Sequence, residues 1–333
     1  MGRAGLGARA AALAAPPPSV TVTVVVPTHD RQPVLARTLT SILGQRGVDV
    51  RVVVVDDRSS DDTWAYLTSL DDPRCTAIRS PGVGAAAARN AGLTAAGSPY
   101  VAFCDDDDRW APTKLAEQLD AMAGTPARWS CTGAITVDEH DRVLGHQRLA
   151  VGGDVLGPLR HADVIPGGGS SVVAERSLLD EVGGFDESLA TQHDWELWIR
   201  LAQRSPVASV DRPLVAYKVW AGSMSWDVGP MDRTYDEIVR RHAGERDAGA
   251  DLRFDQYLAR MELRNGDRVG AARRHLRMAL RHRLPKQAAH AALAALVPGA
   301  AERRRAAHEL AQVPPDWRTE ATAWLAALDA VNA

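Results

Sequence analysis

The sequence has few cysteines, no long apolar run and little net charge, and each of these absences excludes a class of protein. The three cysteines among its 333 residues, Cys75, Cys104 and Cys131, form neither a CxxC pair nor a metal-ligand spacing. Isolated thiols are typical of a reducing compartment, so we expect a cytoplasmic protein. No segment approaches the roughly 20 apolar residues of a membrane helix. A net charge of −3 gives no general attraction to nucleic acid or to an anionic membrane surface.

Two motifs of nucleotide-binding enzymes are misplaced or missing. Gly82-x-Gly84-x-x-Ala87 fits the dinucleotide-binding fingerprint, but that fingerprint belongs in the turn after the first strand. Here it would follow the third strand, and the first turn, Pro27–Arg31, contains no glycine. A dehydrogenase is therefore a weak interpretation. A nucleotidyltransferase would need a glycine-rich triphosphate loop with a lysine near the N-terminus, and the sequence has none there.

Composition divides the chain into three parts. Residues 1–19 are rich in Ala, Gly and Arg and end in three prolines, which predicts a disordered leader. Residues 20–230 alternate between short apolar runs and helical patterns, and residues 231–333 predict an α-helical extension rich in Ala, Arg and Leu. Within the extension, Val269–Pro285 resembles one tetratricopeptide-type helix. One such unit cannot bury its own apolar face, so we expect it to pack on the main domain or to form a homodimer.

The alternation of strands and helices in residues 20–230 predicts an α/β fold with a parallel, Rossmann-like sheet and right-handed crossovers. We predict four strands in this region: Val20–Val26, Arg51–Val55, Cys75–Ile78 and Tyr100–Cys104. Ligands bind such sheets at the carboxyl ends of the strands. The residues that fall at or just beyond those ends are polar: Asp30, Asp56, Asp57, Arg89 and Asp105–Asp108.

The most informative of these segments is the run of four aspartates, Asp105–Asp108, directly after the fourth strand. Like charges at this spacing repel each other unless a cation or another positive group compensates them. Hard divalent cations prefer oxygen ligands, and Mg²⁺ or Mn²⁺ usually binds together with phosphates. The alternative is a solvated acidic turn. The apolar strand that leads into the cluster favours the metal site.

Six motifs in this order resemble the family 2 glycosyltransferases of GT-A fold. They span about residues 20–225 and are VVVPTHDR (24–31), VVVVDDRSSDDT (52–63), GAAAARNAGL (84–93), VAFCDDDDRW (101–110), VGGFDE (182–187) and TQHDWELWIRLA (191–202). The resemblance implies a nucleotide-sugar donor, a divalent metal ion and inversion at the anomeric carbon of the sugar.

The resemblance also assigns a donor site. One member of the pair Asp56 and Asp57 would accept a hydrogen bond from the base or ribose, and a carboxylate acceptor suits the imide N–H of uracil or thymine. We therefore favour a UDP-sugar. The full set of residues that we expect at the nucleotide sugar is Pro27, Thr28, Asp30, Asp56, Asp57, Arg89, Asp105, Asp106 and Lys218. Among these, the guanidinium of Arg89 suits the diphosphate.

The metal and the catalytic base follow from the same resemblance. Asp105-x-Asp107 matches the metal motif, so Asp107 and Asp105 would hold Mn²⁺ or Mg²⁺ and stabilise the charge on the departing diphosphate. Asp194 matches the general base that takes the proton from the acceptor hydroxyl. Asp194 stands at a predicted helix start, and its alternative role is that of an N-cap.

Two positions depart from the family pattern. His193 replaces the usual Glu before the base, and Trp220 stands where the family often has a histidine that helps to hold the metal or the diphosphate. We expect His193, Trp195 and Trp220 to contact the acceptor, which could be a carbohydrate, a natural product or a peptide side chain. The two departures support an alternative function, a non-catalytic carbohydrate-binding or scaffold protein with a degenerate glycosyltransferase fold.

Overall fold

The computed structural model describes residues 20–149, 152–220, 228–296 and 306–332. The predicted leader, residues 1–19, lies outside the described residues. The first half of the sheet has the predicted parallel arrangement, in the order β3-β2-β1-β4. Its strands and the helices that connect them are β1 (Thr21–Thr28), α1 (Gln32–Leu43), β2 (Asp49–Asp56), α2 (Thr63–Ser69), β3 (Cys75–Arg79), α3 (Ala85–Ala95) and β4 (Tyr100–Phe103).

The second half of the sheet is mixed, and it continues from β4 in the order β8-β6-β9-β5, with β7 paired to β6. Strands β6 and β9 are parallel, while β8 is antiparallel to both of its neighbours. The elements of this half are β5 (Arg109–Trp110), α4 (Lys114–Met122), β6 (Trp129–Val137), β7 (Val143–Gln147), α5 (Leu156–Leu159), a 3₁₀ turn (Gly168–Ser171), β8 (Val173–Glu175), α6 (Arg176–Val182), α7 (His193–Ala202) and β9 (Val207–Lys218).

The parallel strands are buried on both faces, as their continuous β-branched runs predict. Val24, Val25 and Val26 have no exposed surface, and alternate residues of β1 belong to two different core clusters. Helix α3 packs very close to this sheet, because a Cβ on Gly92 would lie only 2.3 Å from Cγ1 of Val25. The same helix carries Arg89, so this close packing fixes the Arg89 backbone against the sheet.

Helices form the remainder of the described chain. They include α8 (Val228–His242), α9 (Ala248–Arg264), α10 (Arg268–His282), α11 (Pro285–Leu296) and α12 (Pro315–Asn332). The segment that resembles a tetratricopeptide helix is α10, which packs against α9 and α11. The first and last of these helices, α8 and α12, pack on the α/β part of the protein. Tyr235 and Ile238 of α8 join one core cluster, and Trp324 and Leu328 of α12 pack on β6 and β9 in another. The predicted boundary at residue 230 and the homodimer stay predictions.

In the part of the chain that the structure describes, none of the helices is both long enough and apolar enough to cross a membrane.

Candidate active site

The predicted donor residues at the end of β1 are tied to neighbouring loops. Pro27 and Thr28 are the last residues of β1, and the Thr28 hydroxyl donates to Oδ2 of Asp106 at 2.7 Å. Asp30 adopts a left-handed backbone conformation (φ 52°). Its Oδ1 accepts hydrogen bonds from the backbone amides of Ser60 and Asp61, at 2.6 and 3.2 Å. These amides lower the pKa of Asp30. Asp30 therefore joins the loop after β1 to the loop after β2.

The aspartate pair after β2 retains hydrogen-bonding capacity for a ligand. Asp56 is fully buried, and its Oδ1 accepts from the amide of Ser59 at 3.2 Å. Oδ2 of Asp57 accepts from the amide of Gly84 at 2.6 Å, which joins this pair to the start of α3. Oδ1 of Asp57 is buried and has no hydrogen-bond partner among the described residues. A buried acceptor without a partner is costly, so this atom suits a donor group on a ligand.

Arg89 connects the donor residues with the predicted base. Its side chain is nearly fully buried, its Nη2 donates to Asp105, and its Nη1 donates to Nε2 of His193. Because a guanidinium only donates, Nε2 of His193 must accept, and the imidazole is neutral. Burial, with a further contribution from the charge of Arg89, lowers the pKa of His193 to about 3. Nε of Arg89 is buried without a partner in the described chain, and it is a donor that a phosphate oxygen could satisfy.

The four aspartates have separate environments. Oδ2 of Asp107 accepts from the indole N–H of Trp220 at 2.7 Å. Asp108 is 1% exposed, and its carboxylate accepts from Ser170 Oγ at 2.5 Å and from the amide of Lys218 at 2.8 Å. Burial raises the pKa of Asp106 to about 7, with a further rise from the charge of Asp107. Burial also raises the pKa of Asp107, and it raises the pKa of Asp108 well above the usual range.

The donor atoms of this loop fit a hard cation that is held by few protein ligands. Asp105 and Asp107 offer carboxylate oxygens, which Mg²⁺ and Mn²⁺ prefer. Burial raises the pKa of Asp107, so a cation beside this carboxylate would offset part of the cost of burying its charge. Among the residues that the structure describes, no three His, Cys, Asp or Glu side chains are grouped so that they could hold an ion by themselves. An ion here would depend on phosphate oxygens of the ligand, which is the usual binding mode of Mg²⁺ at nucleotides.

Asp194 lies at the start of α7, beside the donor residues. The preceding Gln192 has a left-handed backbone (φ 54°), and such strained residues are concentrated at functional sites. Gly168 also has a positive φ (52°), and a Cβ on it would lie 3.3 Å from Oδ2 of Asp194. A Cβ on the next residue, Gly169, would lie 3.9 Å from Oδ1 of Asp105. A side chain on either of these consecutive glycines would therefore approach the predicted base or a predicted metal ligand.

The three predicted acceptor residues lie in different surroundings. Trp195 is 1% exposed, its indole donates to the carbonyl of Leu159 at 2.7 Å, and its ring stacks on Tyr235. The acceptor contact of Trp195 stays a prediction, and in this structure the ring is packed inside the protein rather than presented to solvent. His193 is also buried, and it contacts Arg89. Trp220 is partly exposed and lies between Asp107 and the guanidinium of Arg31 (4.3 Å from the ring centroid), which is on the side of the metal motif.

Sequence reasoning missed the partners that position these residues. Lys218, a predicted diphosphate contact, has its Nζ 3.2 Å from Oδ1 of Asp141 and is nearly buried. Ser170 donates to Asp108 and accepts from the amide of Asp105. Asp141 lies in the turn after β6, and Ser170 lies in the 3₁₀ turn before β8. Neither belongs to a motif, and only the position of Asp141 after a sheet strand could have indicated one of them.

Comparisons with known proteins identify the class of this domain. Residues 23–178 match the family model described as Glycosyl transferase family 2. The Escherichia coli protein named UDP-Glc:alpha-D-GlcNAc-diphosphoundecaprenol beta-1,3-glucosyltransferase WfaP is 33% identical over 102 residues, 30% of this chain and 41% of that protein. The succinoglycan biosynthesis protein ExoO of Rhizobium meliloti is 39% identical over 127 residues, 37% of this chain and 34% of that protein.

A solved structure shows the same fold. The crystal structure of S. aureus TarS 1-349 in complex with UDP-GlcNAc has a TM-score of 0.54, with 16% sequence identity over 79% of this chain and 92% of that chain. The resemblance to family 2 glycosyltransferases and the GT-A fold are therefore confirmed, and residues 23–178 are the part of the chain that matches the family model. The chain spans only about two fifths of WfaP and a third of ExoO, the curated relatives described above.

Proposed function

We propose that this protein is an inverting glycosyltransferase that transfers a sugar from a UDP-sugar to a nucleophile, commonly a hydroxyl group, on a carbohydrate, natural-product or peptide acceptor. The observation that carries the proposal is the pair of unsatisfied buried atoms at the sheet rim, the acceptor Oδ1 of Asp57 and the donor Nε of Arg89. A nucleoside diphosphate offers both complements, an N–H or O–H group for the carboxylate and phosphate oxygens for the guanidinium.

Names of similar proteins support the choice of donor. The name of WfaP includes UDP-Glc, and one TarS structure contains UDP-GlcNAc. A uracil ring presents an imide N–H that a carboxylate such as Asp57 accepts well. We further propose a cytoplasmic location, which the three free thiols support.

Asp105 and Asp107 are the residues that would hold Mn²⁺ or Mg²⁺, and the ion would stabilise the negative charge on the leaving diphosphate. Arg89 orients the Asp105 carboxylate and presents Nε to the same diphosphate. His193 keeps the guanidinium in that orientation without adding charge, because its burial keeps the imidazole neutral. The donor half of the reaction is thus assigned to side chains from α3, α7 and the loop after β4.

Asp194 is the proposed general base. Asp194 is partly exposed and lies beside Gly168, and the next residue, Gly169, lies near Asp105, so an acceptor hydroxyl could approach both the base and the donor sugar. Oδ1 of Asp194 accepts from the amide of Trp195 at 2.9 Å, which orients the carboxylate on its own helix start. The base removes the proton from the acceptor hydroxyl as the hydroxyl oxygen attacks the anomeric carbon and the bond to the diphosphate breaks.

The hydrogen bond from Trp220 to Asp107 favours the second candidate function, a non-catalytic binding protein, because an indole N–H occupies one oxygen of the metal motif. A thermal-shift panel of UDP, dTDP and GDP and their sugars, each with and without Mn²⁺ or Mg²⁺, separates the two functions. We expect a metal-dependent rise in the melting temperature with UDP, by mass action, and its loss in Asp107→Ala. The absence of a shift with every nucleotide would overturn the transferase, and a shift without sugar transfer would favour the binding protein.

A further inference from the structure

A group of charges, buried at Arg109 and Asp141, connects the C-terminal helix with the turn after β6. Oδ2 of Asp141 accepts from Arg37 at 2.7 Å and from Arg109 at 2.8 Å. Asp329 of α12 pairs with the same two arginines, at 2.7 and 2.9 Å. The side chains of Arg109 and Asp141 are only 1% and 5% exposed, so their charges are largely removed from water. Such charges are stable only where partners are close and well placed.

Two members of this group, Arg109 and Lys218, are connected to the aspartate loop. Arg109 directly follows Asp108, so an anchored Arg109 side chain fixes the end of that loop. Lys218 is the second connection, because its backbone amide donates to Asp108 while its ammonium lies 3.2 Å from Oδ1 of Asp141. Oδ2 of Asp141 thus accepts hydrogen bonds from the two arginines, whereas Oδ1 lies within ion-pair distance of the lysine ammonium without a hydrogen bond.

Helix α12 reduces the excess of positive charge in this group. Arg37, Arg109 and Lys218 carry three positive charges, and Asp141 with Asp329 supplies two negative charges. Without Asp329, three cations would share Asp141 alone. The Lys218 ammonium already acts on Asp107, whose pKa its charge lowers against the larger effect of burial. A weaker hold by Asp141 would let this ammonium move towards the carboxylates of the donor site.

We propose that helix α12 is part of the donor site: Asp329 supports Asp141, and Asp141 is the positioning residue that holds Lys218 and Arg109 behind the aspartate loop in the arrangement that binds a nucleoside diphosphate. The inference rests on the proposed function, which supplies the ligand. It assigns a role in binding to a helix that lies outside the matched family region, residues 23–178. It also explains why a predicted diphosphate contact, Lys218, is ion-paired in the described structure.

The test measures the affinity of the full chain for UDP, with and without Mn²⁺, in wild type and in Asp329→Asn. Asp329 is half exposed, so the variant should fold. We expect the dissociation constant for UDP to rise about fivefold, at the upper end of what the loss of a surface ion pair gives. The Mn²⁺ concentration at half-maximal UDP binding should also rise, because a displaced Lys218 competes with the ion. Asp329→Glu, which keeps the carboxylate, should restore both values to within about twofold of wild type.

Asp316→Asn is the matched control, since it removes the same charge from the same helix about 20 Å away. It should leave the UDP affinity unchanged. Asp141→Asn should weaken UDP binding by at least about tenfold. If this variant fails to fold, the UDP affinity of Asp329→Asn alone tests the inference. A lower melting temperature of Asp329→Asn with an unchanged UDP affinity would overturn the inference, because α12 would then be only structural. Failure of the wild type to bind UDP would instead overturn the proposed function.

Discussion

The two sides of the candidate site are built differently. On the donor side, carboxylates accept hydrogen bonds from other segments of the chain: Asp57 from Gly84, Asp106 from Thr28, and Asp107 from Trp220. On the other side, the hydrogen bond described for Asp194 comes from the amide of the next residue, Trp195. The donor side is therefore fixed by tertiary contacts, whereas Asp194 is oriented by the start of its own helix.

This difference corresponds to different chemical tasks. A site for a nucleotide diphosphate gains affinity when its polar groups are held in place before the ligand arrives. A base must instead present a carboxylate oxygen to a hydroxyl that enters from solvent. Arg89 is the residue that links the two sides, since it contacts both Asp105 and His193, which directly precedes Asp194. Substitutions on each side, and at the link, should therefore have separable effects.

The largest effect is expected for Asp194→Asn. The amide keeps the oxygen that accepts from Trp195, so the fold and the UDP affinity should not change. Loss of the base should reduce turnover by about 10²–10⁴-fold. Turnover is measured as UDP release and sugar transfer with the donor that the thermal-shift panel identifies. Normal turnover in this variant would remove Asp194 from the mechanism.

Arg89→Lys should affect both sides at once. A lysine keeps the positive charge but cannot reach Asp105 and His193 together with a planar fork. We expect about tenfold weaker UDP binding and a further fall in turnover. Calorimetry gives the first value and the UDP-release assay the second. A change in UDP affinity alone would show that Arg89 does not couple the donor side to the base. The control Arg79→Lys alters an exposed arginine 3.8 Å from Asp56 and should have a smaller effect.

Trp220→His should sharpen the assignment of the metal ligands. The imidazole restores the residue type that the family often has here, and imidazole suits Mn²⁺ better than Mg²⁺. The Mn²⁺ requirement for UDP binding should fall about threefold, with little change for Mg²⁺. Trp220→Phe, which removes the N–H but keeps an aromatic ring for Arg31, is the matched control. Equal responses to the two metals would show that this position lies away from the ion.

The smallest effect concerns stability away from the site. Lys114 is fully buried, its Nζ lies 3.9 Å from the Trp110 ring centroid, and burial lowers its pKa to about 7. Between pH 7 and the usual lysine pKa, the unfolded chain binds a proton that the folded chain has released, so stability rises with pH. From pH 6 to 8, wild type should gain roughly 1 kcal/mol relative to Lys114→Met. Chemical denaturation at both pH values measures this, and parallel pH responses would show that Lys114 keeps its usual pKa.

The sequence alone was sufficient to predict the parallel sheet and its polar rim. Continuous β-branched runs such as Val24–Val26 can only be buried, and the carboxyl ends of parallel strands necessarily meet at one edge. The predicted starts and ends of these strands differ from the observed ones by a few residues at most. For example, β2 begins at Asp49 rather than Arg51, because backbone pairing with β1 extends past the apolar run.

What only the tertiary structure decided is which side chains of that rim are available to a ligand. Trp195 has the same apolar character in the sequence whether it is exposed or packed on Tyr235, and the fold buries it. Asp141 and Asp329 are 188 positions apart in the chain, yet they share the same two arginines. Local patterns report which face of a strand or helix is apolar, but they do not report which distant charge will lie against it. That pairing depends on how α12 packs across β6 and β9, and it exists only in the folded chain.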